Sequence, residues 1–558
     1  MVLAADDTLR LDASAVDYGL VLAYFAVVLL IGFAARRRVS DSLDFFLSGR
    51  SLPAWVTGLA FISANLGAVE IIGMSANGAQ FGMATFHYFW IGAVPAMLFL
   101  GVVMMPFYYG SKVRSVPEFM RRRFGTGAHL VNALSFALAQ VLIAGINLYL
   151  LATIVNALLG WPLWISLILA AAIVLTYITL GGLSAAIYNE VLQFFVIIAA
   201  LLPLTLIGLH RVGGVSGLID KVTASPGGDE QLQSWPGTGL SAIGNPVLSV
   251  IGIVFGLGFV LSFGYWTTNF VEVQRAMATK SLSAARSTPV IGSFPKMFIP
   301  FIVIVPGMIA AVLVSSIRDA KAAGETVDYN NSILLLIRDV LPNGLLGVAI
   351  AGLLAAFMAG MAANISAFNT VFSYDLWQQY VKKDRPDGYY LKVGRLATVG
   401  ATVVAIFTAL IASQYTNLMD YLQTLFGFFN APLFATFILG MFWKRMTPTA
   451  GWTGLVSGTA AAVFVYVLSK TGTIGITGQG ASFVAAGAAF VVDIAVSVVV
   501  SMVTTPKPVA ELAGLVYSET PKEQRTDPDA HLLSWYRSPT KLAGLSLVLV
   551  VILNVIFR

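Results

Sequence analysis

The sequence predicts an all-α polytopic membrane protein with about fourteen transmembrane helices, and three observations support this prediction. Hydrophobic residues make up 58% of the 558 positions and charged residues only 11%, which soluble domains of this length do not show. Apolar stretches of roughly 20 residues, the length that crosses a bilayer, recur along the whole chain. When these stretches alternate in direction, 24 of the 33 Lys and Arg residues fall on one side, as expected for cytoplasmic loops.

Each predicted span begins where an apolar stretch follows a short polar segment. The first runs from Tyr18 to Ala35 without a small-residue cleavage site after it, so we interpret it as a retained helix and not as a signal peptide. The fourteen starts lie near Tyr18, Leu52, Met83, Leu130, Leu163, Ala185, Val247, Val290, Leu345, Leu396, Leu418, Trp452, Phe483 and Leu542. The basic loops then lie inside, and the even number of spans places both termini outside a plasma (inner) membrane.

The composition also excludes several classes of protein. The chain has no cysteine, so disulfides, thiol catalysis and cysteine metal sites are excluded, and its four histidines are widely scattered. The sequence shows no nucleophile–base pair typical of an enzyme. The net charge of +6 arises in loops between spans and does not indicate nucleic-acid binding. We therefore do not expect an enzyme or a resident cofactor. We expect the protein to be surrounded by the lipid bilayer.

The segment Ser63–Gly73 is predicted to organise the chain. It carries Asn65 and Glu70 among glycines, inside an otherwise apolar run. Backbone groups freed at membrane depth must face protein or a water-filled cavity, so the segment indicates a broken helix that holds a solute or an ion. A kinked structural helix is the alternative. A second interruption is expected at Gly256–Gly264, just before Tyr265, and matching interruptions are typical of inverted-repeat transporters.

These interruptions divide the chain into three predicted parts. Residues 1–50 form an outside N-terminal tail and an extra first span, and residues 446–558 form additional C-terminal spans. Between them, residues 51–445 form an inverted-repeat transport core, with halves at about 52–210 and 246–445. The inside segments are too small for an independent domain, which argues against a membrane solute sensor, the alternative from another functional class.

Polar side chains within the predicted spans are the candidates for solute and ion contacts. Aromatic rings beside amides suit a polyhydroxylated or zwitterionic solute, whereas an interfacial aromatic belt with interhelical hydrogen bonds is the structural alternative. Lys296 needs a partner at membrane depth, and Glu70, Asp420 or a bound anion are the candidates, unless the side chain snorkels to the inner surface. Glu190 either lines an inner ion exit or is exposed near a helix start.

Several segments together resemble the sodium/solute symporter family, nearest its sodium–glucose cotransporter branch. In chain order, the matching segments are Asp44–Pro53, Ala64-Asn65 with Ile72–Ser75, Val116–Phe119, Gly181–Ala185, Gln274-Arg275 with Ala278–Ser281, and Gly440–Lys444. This resemblance implies five-plus-five inverted repeats with broken helices and flanking spans. It also implies alternating access driven by sodium.

The resemblance further implies roles for individual residues. The implied substrate contacts are Asn65, Tyr88, Trp90, Tyr265, Trp266, Lys296 and Gln423. Glu70 stands where the sugar-binding branch has Gln or His, and we include it in the predicted solute site. Tyr265 matches the family's inner gate and Met74 its outer gate. The resemblance places sodium ligands at the backbone carbonyls of Ser63 and Leu66, and the family's carboxylate before the fifth core helix matches Glu190.

Two departures from the family pattern affect the solute and the coupling ion. Phe89 stands where the sugar branch has a Glu, and Ile143 where it has a polar residue, so the hydrogen-bonding set for a hexose is incomplete. The two adjacent hydroxyls of the family's sodium site align with Ala359 and Gly360, which lack the oxygen ligands that hard cations need. Coupling through Glu70, as a sodium ligand or a proton carrier, is the alternative.

The sequence therefore predicts a secondary active symporter that takes up a small polar solute, a sugar or polyol, together with sodium by alternating access. A proton in place of sodium, or no coupling ion at all, is the alternative mechanism. An organic acid is the alternative solute.

Overall fold

The computed structural model describes residues 10–36, 51–110, 115–235, 252–476, 478–521, 526–527 and 534–558. Over these ranges the chain is helical, with one isolated β-bridge between Leu52 and Thr279 and no longer strand. The all-α prediction is confirmed. The first nine residues, residues 37–50 and most of the Asp44–Pro53 segment lie outside the described residues.

Nineteen helices are labelled here in chain order. Those before the second interruption are α1 (Ala15–Arg36), α2 (Ala54–Asn65), α3 (Ala68–Phe81), α4 (Tyr88–Tyr108), α5 (Val116–Phe124), α6 (Thr126–Leu159), α7 (Leu163–Val212) and α8 (Gly214–Thr223). Those after it are α9 (Gly252–Thr268), α10 (Phe270–Met277), α11 (Leu282–Leu313), α12 (Ser315–Ala323), α13 (Ser332–Val340), α14 (Leu345–Val381), α15 (Asp387–Ala412), α16 (Leu418–Phe442), α17 (Pro448–Lys470), α18 (Gly478–Val503) and α19 (Pro539–Ile556).

Thirteen of the fourteen predicted span starts lie in or next to described helices, and the start near Val247 lies outside the described residues. Ten of the described helices are long and apolar enough to cross a membrane, and the bent pairs α2–α3 and α9–α10 raise the number to twelve. The other two predicted starts correspond to shorter apolar helices at Ala15–Ile31 and Leu163–Ala172. The second of these is not separate, because α7 continues without interruption through Val212 for 50 residues.

The two predicted spans near Leu163 and Ala185 are nevertheless matched by two apolar segments of α7, Leu163–Ala172 and Ala186–Val212. Both ends of α7 lie on the same side of the molecule. Just before its start, the Leu158 carbonyl accepts from Tyr18, and near its end Arg211 donates to the Asp339 carbonyl, in segments that Asp17 joins by accepting from the Gly344 amide. The connecting sequence contains Gly181 and Gly182 but no proline. The middle of α7 lies on the other side, where Ile187 packs in a cluster with Leu52 and Ala278, so the chain turns back within α7.

The first predicted break lies at the expected position. Helix α2 ends at Asn65 and α3 begins at Ala68, and the two helices are bent by 55°. Gly67 adopts extended backbone geometry (φ −66°, ψ 171°) between them, which a continuous helix does not allow. The predicted broken helix is confirmed, and the kinked structural helix is excluded.

The second break lies later than predicted. The stretch Gly256–Gly264 remains helical, and the bend of 46° between α9 and α10 falls at Asn269. The Asn269 side chain accepts a hydrogen bond from the Val271 amide at 3.0 Å and so caps α10. The break therefore depends on an N-capping asparagine, whereas the preceding glycines serve close helix packing: a Cβ at Gly264 would lie 3.0 Å from the Asn430 carbonyl oxygen.

The two broken helices pack around the most buried helix of the protein. In the most apolar 18-residue stretch of α14, 89% is buried inside the protein. The corresponding shares are 33% in α15, 28% in α17 and 22% in α19. Helix α14 packs against α6 and α7, and α11 packs against both segments of the first broken helix. Irregular backbone at membrane depth is thus enclosed by protein, as the bilayer requires.

Candidate functional site

A cavity lies where the two breaks face each other. Its volume is about 110 Å³, smaller than the roughly 300–1,000 Å³ typical of small-molecule sites. Its walls come from the broken helices and from α4, α6, α11, α14 and α16. The lining residues include Asn65, Gly67, Glu70, Met74, Tyr88, Phe89, Ile143, Asn147, Tyr265, Trp266, Asn269, Lys296, Gly360, Asn364, Gln423 and Phe426.

Of the predicted solute contacts, only Trp90 does not line this cavity, and the prediction for it is corrected. Its ring is fully buried elsewhere, 5.0 Å from the ring of Phe86, and its indole N–H donates to the Met297 carbonyl at 2.9 Å. Tyr88 and Phe89 take the cavity side of α4 instead. Successive residues of a helix point in directions about 100° apart, so Trp90 is turned away towards α11.

Lys296 lies at the centre of the polar part of the site. It is 1% exposed and follows Pro295, immediately before a turn at residues 297–299 that interrupts α11. Its ammonium group forms an ion pair with Glu70 and donates to the Asn65 side-chain oxygen. Of the candidate partners, Glu70 is thus the one that Lys296 contacts, and snorkelling to the surface is excluded.

Aromatic rings enclose the charged part of this ion pair. The Lys296 ammonium lies 4.7 Å from the ring centre of Phe89 and 5.3 Å from that of Trp266. A cation near an aromatic ring is stabilised by about 0.5–2 kcal/mol, most strongly where water is excluded. Phe89, which departs from the family's Glu, therefore forms part of the lysine's surroundings.

The hydrogen-bond chain continues from Asn65 to an acid that the sequence prediction missed. The Asn65 amide donates to the Tyr265 hydroxyl at 3.1 Å, and that hydroxyl donates to Glu272 Oε1 at 2.6 Å. Glu272 is fully buried on α10. The available signal was an acidic residue seven positions after Tyr265 and just beyond the cap of the second break. This chain connects the two broken helices below the cavity.

The opposite side of the cavity is closed by residues from distant parts of the chain. The Tyr88 hydroxyl donates to Gln479, and Gln479 donates to Asn77 Oδ1 at 2.7 Å. Met74, the predicted outer gate, is 1% exposed beside them. Gln479 lies in the first turn of α18, so a helix outside the predicted core contributes to this closure. No local sequence pattern indicated that contact.

The predicted ion ligands lie in two places. Glu190 and Arg275 form a fully buried ion pair, with Arg275 Nη2 2.6 Å from Glu190 Oε1. The count of 24 basic residues on the inner side placed Arg275 in a loop, whereas the structure buries it. Glu190 is neither exposed nor free to line an ion exit. At the first break, Ser63 and Leu66 lie in the last turn of α2 and directly after it, where helix carbonyls lack intrahelical partners.

The side-chain oxygens near the first break come from residues other than the family's hydroxyl positions. Gly360 lies against Gly67, since a Cβ at Gly67 would be 3.3 Å from the Gly360 Cα. Asn147 Oδ1 lies 3.0 Å from the position that a Gly360 Cβ would take. Asn147 Oδ1 and Ser63 Oγ are both buried and, among the described residues, have no hydrogen-bond partner. Buried oxygens without partners are costly, so these atoms are suited to bind a cation.

Comparisons with known proteins agree with this architecture. Residues 45–458 match the sequence profile of the sodium:solute symporter family. The chain is 28% identical over 470 residues to a sodium/glucose cotransporter of Vibrio parahaemolyticus, covering 81% of this chain and 85% of that protein. It is 27% identical over 560 residues to sodium/glucose cotransporter 1 of Ovis aries, covering 93% and 83%.

Solved structures show the same fold. A Na⁺-coupled sialic acid symporter in a substrate-bound outward-open state matches 88% of this chain and 99% of its own, with a TM-score of 0.73 and 19% identity. A nucleobase-cation-symport-1 family transporter in a closed conformation covers 84% of this chain and 97% of its own, with a TM-score of 0.50 and 15% identity. The predicted inverted-repeat transporter fold and the family resemblance are confirmed. The chain is a multi-pass membrane transporter, not an enzyme, and it belongs to the sodium:solute symporter family.

Proposed function

We propose that this protein takes up a small, electrically neutral polar solute, a sugar or polyol, together with sodium. The observation that carries the proposal is the Lys296–Glu70 ion pair inside the cavity. The two charges neutralise each other, so the solute site carries no net charge of its own. A neutral solute with several hydroxyl groups fits such a site without leaving a charge unpaired.

The same pair disfavours an organic acid as the main solute. A carboxylate bound to Lys296 would compete with Glu70 and Asn65 for its three ammonium protons. Glu70 would then remain as a buried charge without its partner, at a cost of about 3–5 kcal/mol. A polyol avoids this cost because its hydroxyls accept from the lysine and donate to the carboxylate while the pair stays intact.

The remaining walls also suit a sugar or polyol. Phe89, Trp266 and Phe426 offer aromatic surface, and Gln423 and Asn364 offer amide groups. Rings cover the apolar faces of such solutes, and amides both donate to and accept from hydroxyl groups. The relatives that carry the name sodium/glucose cotransporter support a solute of this class.

The first break provides the oxygens for sodium in this proposal. The carbonyls of Ser63 and Leu66 act with Asn147 Oδ1 and Ser63 Oγ, the two buried oxygens without partners. Because Ala359 supplies no hydroxyl, the Asn147 amide oxygen replaces part of the missing ligand set. Family membership supports sodium as the coupling cation. A proton is the second candidate, favoured by the missing hydroxyls and by the buried acids near Lys296.

The coupling energy is sufficient for concentrative uptake. One cation that crosses 100 mV releases about 2.3 kcal/mol. At 1.4 kcal/mol per tenfold change, this supports roughly fiftyfold accumulation of a neutral solute before any ion gradient is added.

We further propose that the protein lies in the plasma (inner) membrane with its basic loops inside and both termini outside. This orientation follows from the charge bias and requires fourteen crossings, two of them within α7. Accessibility of tags at the two ends tests it. Tags on the same outer face would support the proposal, and tags on opposite faces would indicate that α7 crosses only once.

Uptake into proteoliposomes tests the solute and the ion separately. Labelled sugars, polyols and organic acids are compared with sodium outside, with choline in its place, and with a pH gradient imposed without sodium. We expect concentrative uptake of a neutral polyol or sugar that requires sodium. Accumulation confined to organic acids would refute the solute assignment, and equal uptake in choline without a pH gradient would refute cation coupling.

A further inference from the structure

The buried charges around the second break do not balance. Lys296 pairs with Glu70, and Arg275 pairs with Glu190. Glu272 is a third buried acid, and its Oε1 accepts only a neutral donor, the Tyr265 hydroxyl. Its Oε2 is buried and has no hydrogen-bond partner among the described residues. In the part of the chain that the structure describes, these ion pairs and Glu272 make three acids and two bases.

The direction of the hydrogen bonds between Lys296 and Glu272 indicates that Glu272 is the group that accepts a cation. Lys296 donates to Asn65, Asn65 donates to Tyr265, and Tyr265 donates to Glu272. Every donor in this chain points from the ammonium towards Glu272, so Glu272 is its terminal acceptor. In a low-dielectric interior such bonds polarise one another, and they connect the solute site to the terminal carboxylate.

The other ionisable groups around Glu272 do not neutralise it. Arg275 lies on the same helix and is held by Glu190, and Lys296 is held by Glu70. Helix α2 and the segment Leu345–Thr370 of α14, which pack against α10, contain no ionisable residue. The ends of α4 and α11 that also pack against α10 add Tyr108, which donates to the Thr267 carbonyl at 2.8 Å, and Arg286, which donates to Thr540 Oγ1 at 3.1 Å. Tyr265, on α9, supplies a neutral hydroxyl.

We propose that Glu272 binds one proton from the outside water and releases it to the inside water in each transport cycle. Hydronium gives its proton to Oε2, which forms the O–H bond of a neutral carboxylic acid; that bond breaks when the site opens inward, and the proton returns to water. A proton suits Glu272 better than sodium, since one acceptor oxygen holds a proton while sodium needs several oxygens.

Protonation of Glu272 is linked to the inner gate through Tyr265. The charged carboxylate is the stronger acceptor for the tyrosine hydroxyl, so proton loading weakens the bond that connects Tyr265 to α10. Solute bound near Asn65 and Lys296 contacts the opposite end of the same chain. This inference rests on the proposed function only in requiring transport of a neutral solute; it does not depend on whether sodium is also carried.

Proton movement measured directly tests the proposal. Proteoliposomes that contain the dye pyranine and no sodium receive the transported polyol or sugar, with outside pH one unit below inside pH. We expect internal acidification that starts with solute addition, about one proton per solute, and up to tenfold accumulation from the pH gradient. Glu272→Gln is expected to abolish both. Glu325→Gln, at an exposed position, is the matched control.

Two further variants keep the test decisive if Glu272→Gln fails to fold. Glu272→Asp keeps an ionisable group and is expected to retain solute-dependent acidification, and Glu272→Leu is a second neutral variant expected to lose it. Absence of acidification in the unmodified protein that still shows sodium-driven uptake would overturn the proposal. So would acidification that persists in a folded neutral variant. Absence of all solute uptake, by contrast, would refute the proposed function.

Discussion

Neutralising either member of the Lys296–Glu70 pair is expected to reduce solute uptake about a hundredfold while the protein still reaches the membrane. In Lys296→Met, Glu70 keeps its charge but loses its ionic partner. In Glu70→Gln, the ammonium of Lys296 keeps only the Asn65 oxygen and the flanking rings. Removing one partner of a buried pair costs about 3–5 kcal/mol, and the Lys296 side chain is only 2% exposed.

The expected loss of uptake follows from the free-energy cost of removing one partner of the buried ion pair. Glu70 is 14% exposed at its side chain, so cavity water relieves part of the penalty and the lower end, about 3 kcal/mol, applies. At 1.4 kcal/mol per tenfold change, each single variant is expected to lose about a hundredfold in kcat/KM for uptake. The double variant Lys296→Met/Glu70→Gln leaves no unpaired charge, so it is expected to lose less than the two single effects combined.

The assay is initial uptake of the labelled solute, normalised to the amount of protein in the membrane. Lys221→Met provides the matched control because Lys221 is exposed on α8, away from the cavity. Single variants that transport as well as the unmodified protein would refute a role of the pair in transport. A double variant with fully additive losses would show that the two side chains act independently.

Three other substitutions separate the coupling ion, the packing and the closure of the cavity. Asn147→Ala is expected to raise the sodium concentration for half-maximal uptake about tenfold, measured by sodium titration at saturating solute; an unchanged titration curve would exclude this side chain as a ligand. Trp90→Phe is expected to lower stability by about 1–3 kcal/mol by leaving a buried carbonyl unsatisfied, with solute affinity unchanged, whereas a loss of affinity in folded protein would return this residue to the solute site. Gln479→Ala is expected to increase several-fold the thiol labelling of a cysteine introduced at position 74, which the absence of native cysteines makes practical; equal labelling would show that Gln479 does not hold the closure.

The sequence predicts what depends on local composition. The break before Ala68 is predictable because polar and small residues interrupt an apolar run where lipid provides no hydrogen bonds. The partnership of Lys296 with an acid is predictable because a lone charge at membrane depth is costly. Glu70 was among three candidate partners, and only the packing of α3 against α11 distinguishes them.

Features that depend on direction or on distant contacts are not predictable in the same way. Trp90 belongs to the same short aromatic motif as Tyr88, but its helical position points it to the opposite side. The second break depends on Asn269 as a cap, and asparagine inside an apolar helix often forms interhelical bonds instead. Gln479 reaches Tyr88 and Asn77 only because α18 packs against α16, which no pattern in the segment itself encodes.

The departure at Gly360 has a common steric cause with the placement of Asn147. A Cβ at position 360 would lie 3.3 Å from the Gly67 Cα and 3.0 Å from Asn147 Oδ1, both tighter than ordinary van der Waals contact. A serine at that position would therefore need the broken helix or α6 to shift. Glycine permits the close approach of α14 to the first break, and the amide oxygen from α6 lies beside the resulting junction. The loss of a hydroxyl on α14 and the presence of an oxygen from α6 are thus one rearrangement, which is why the missing hydroxyls alone do not exclude a cation at this break.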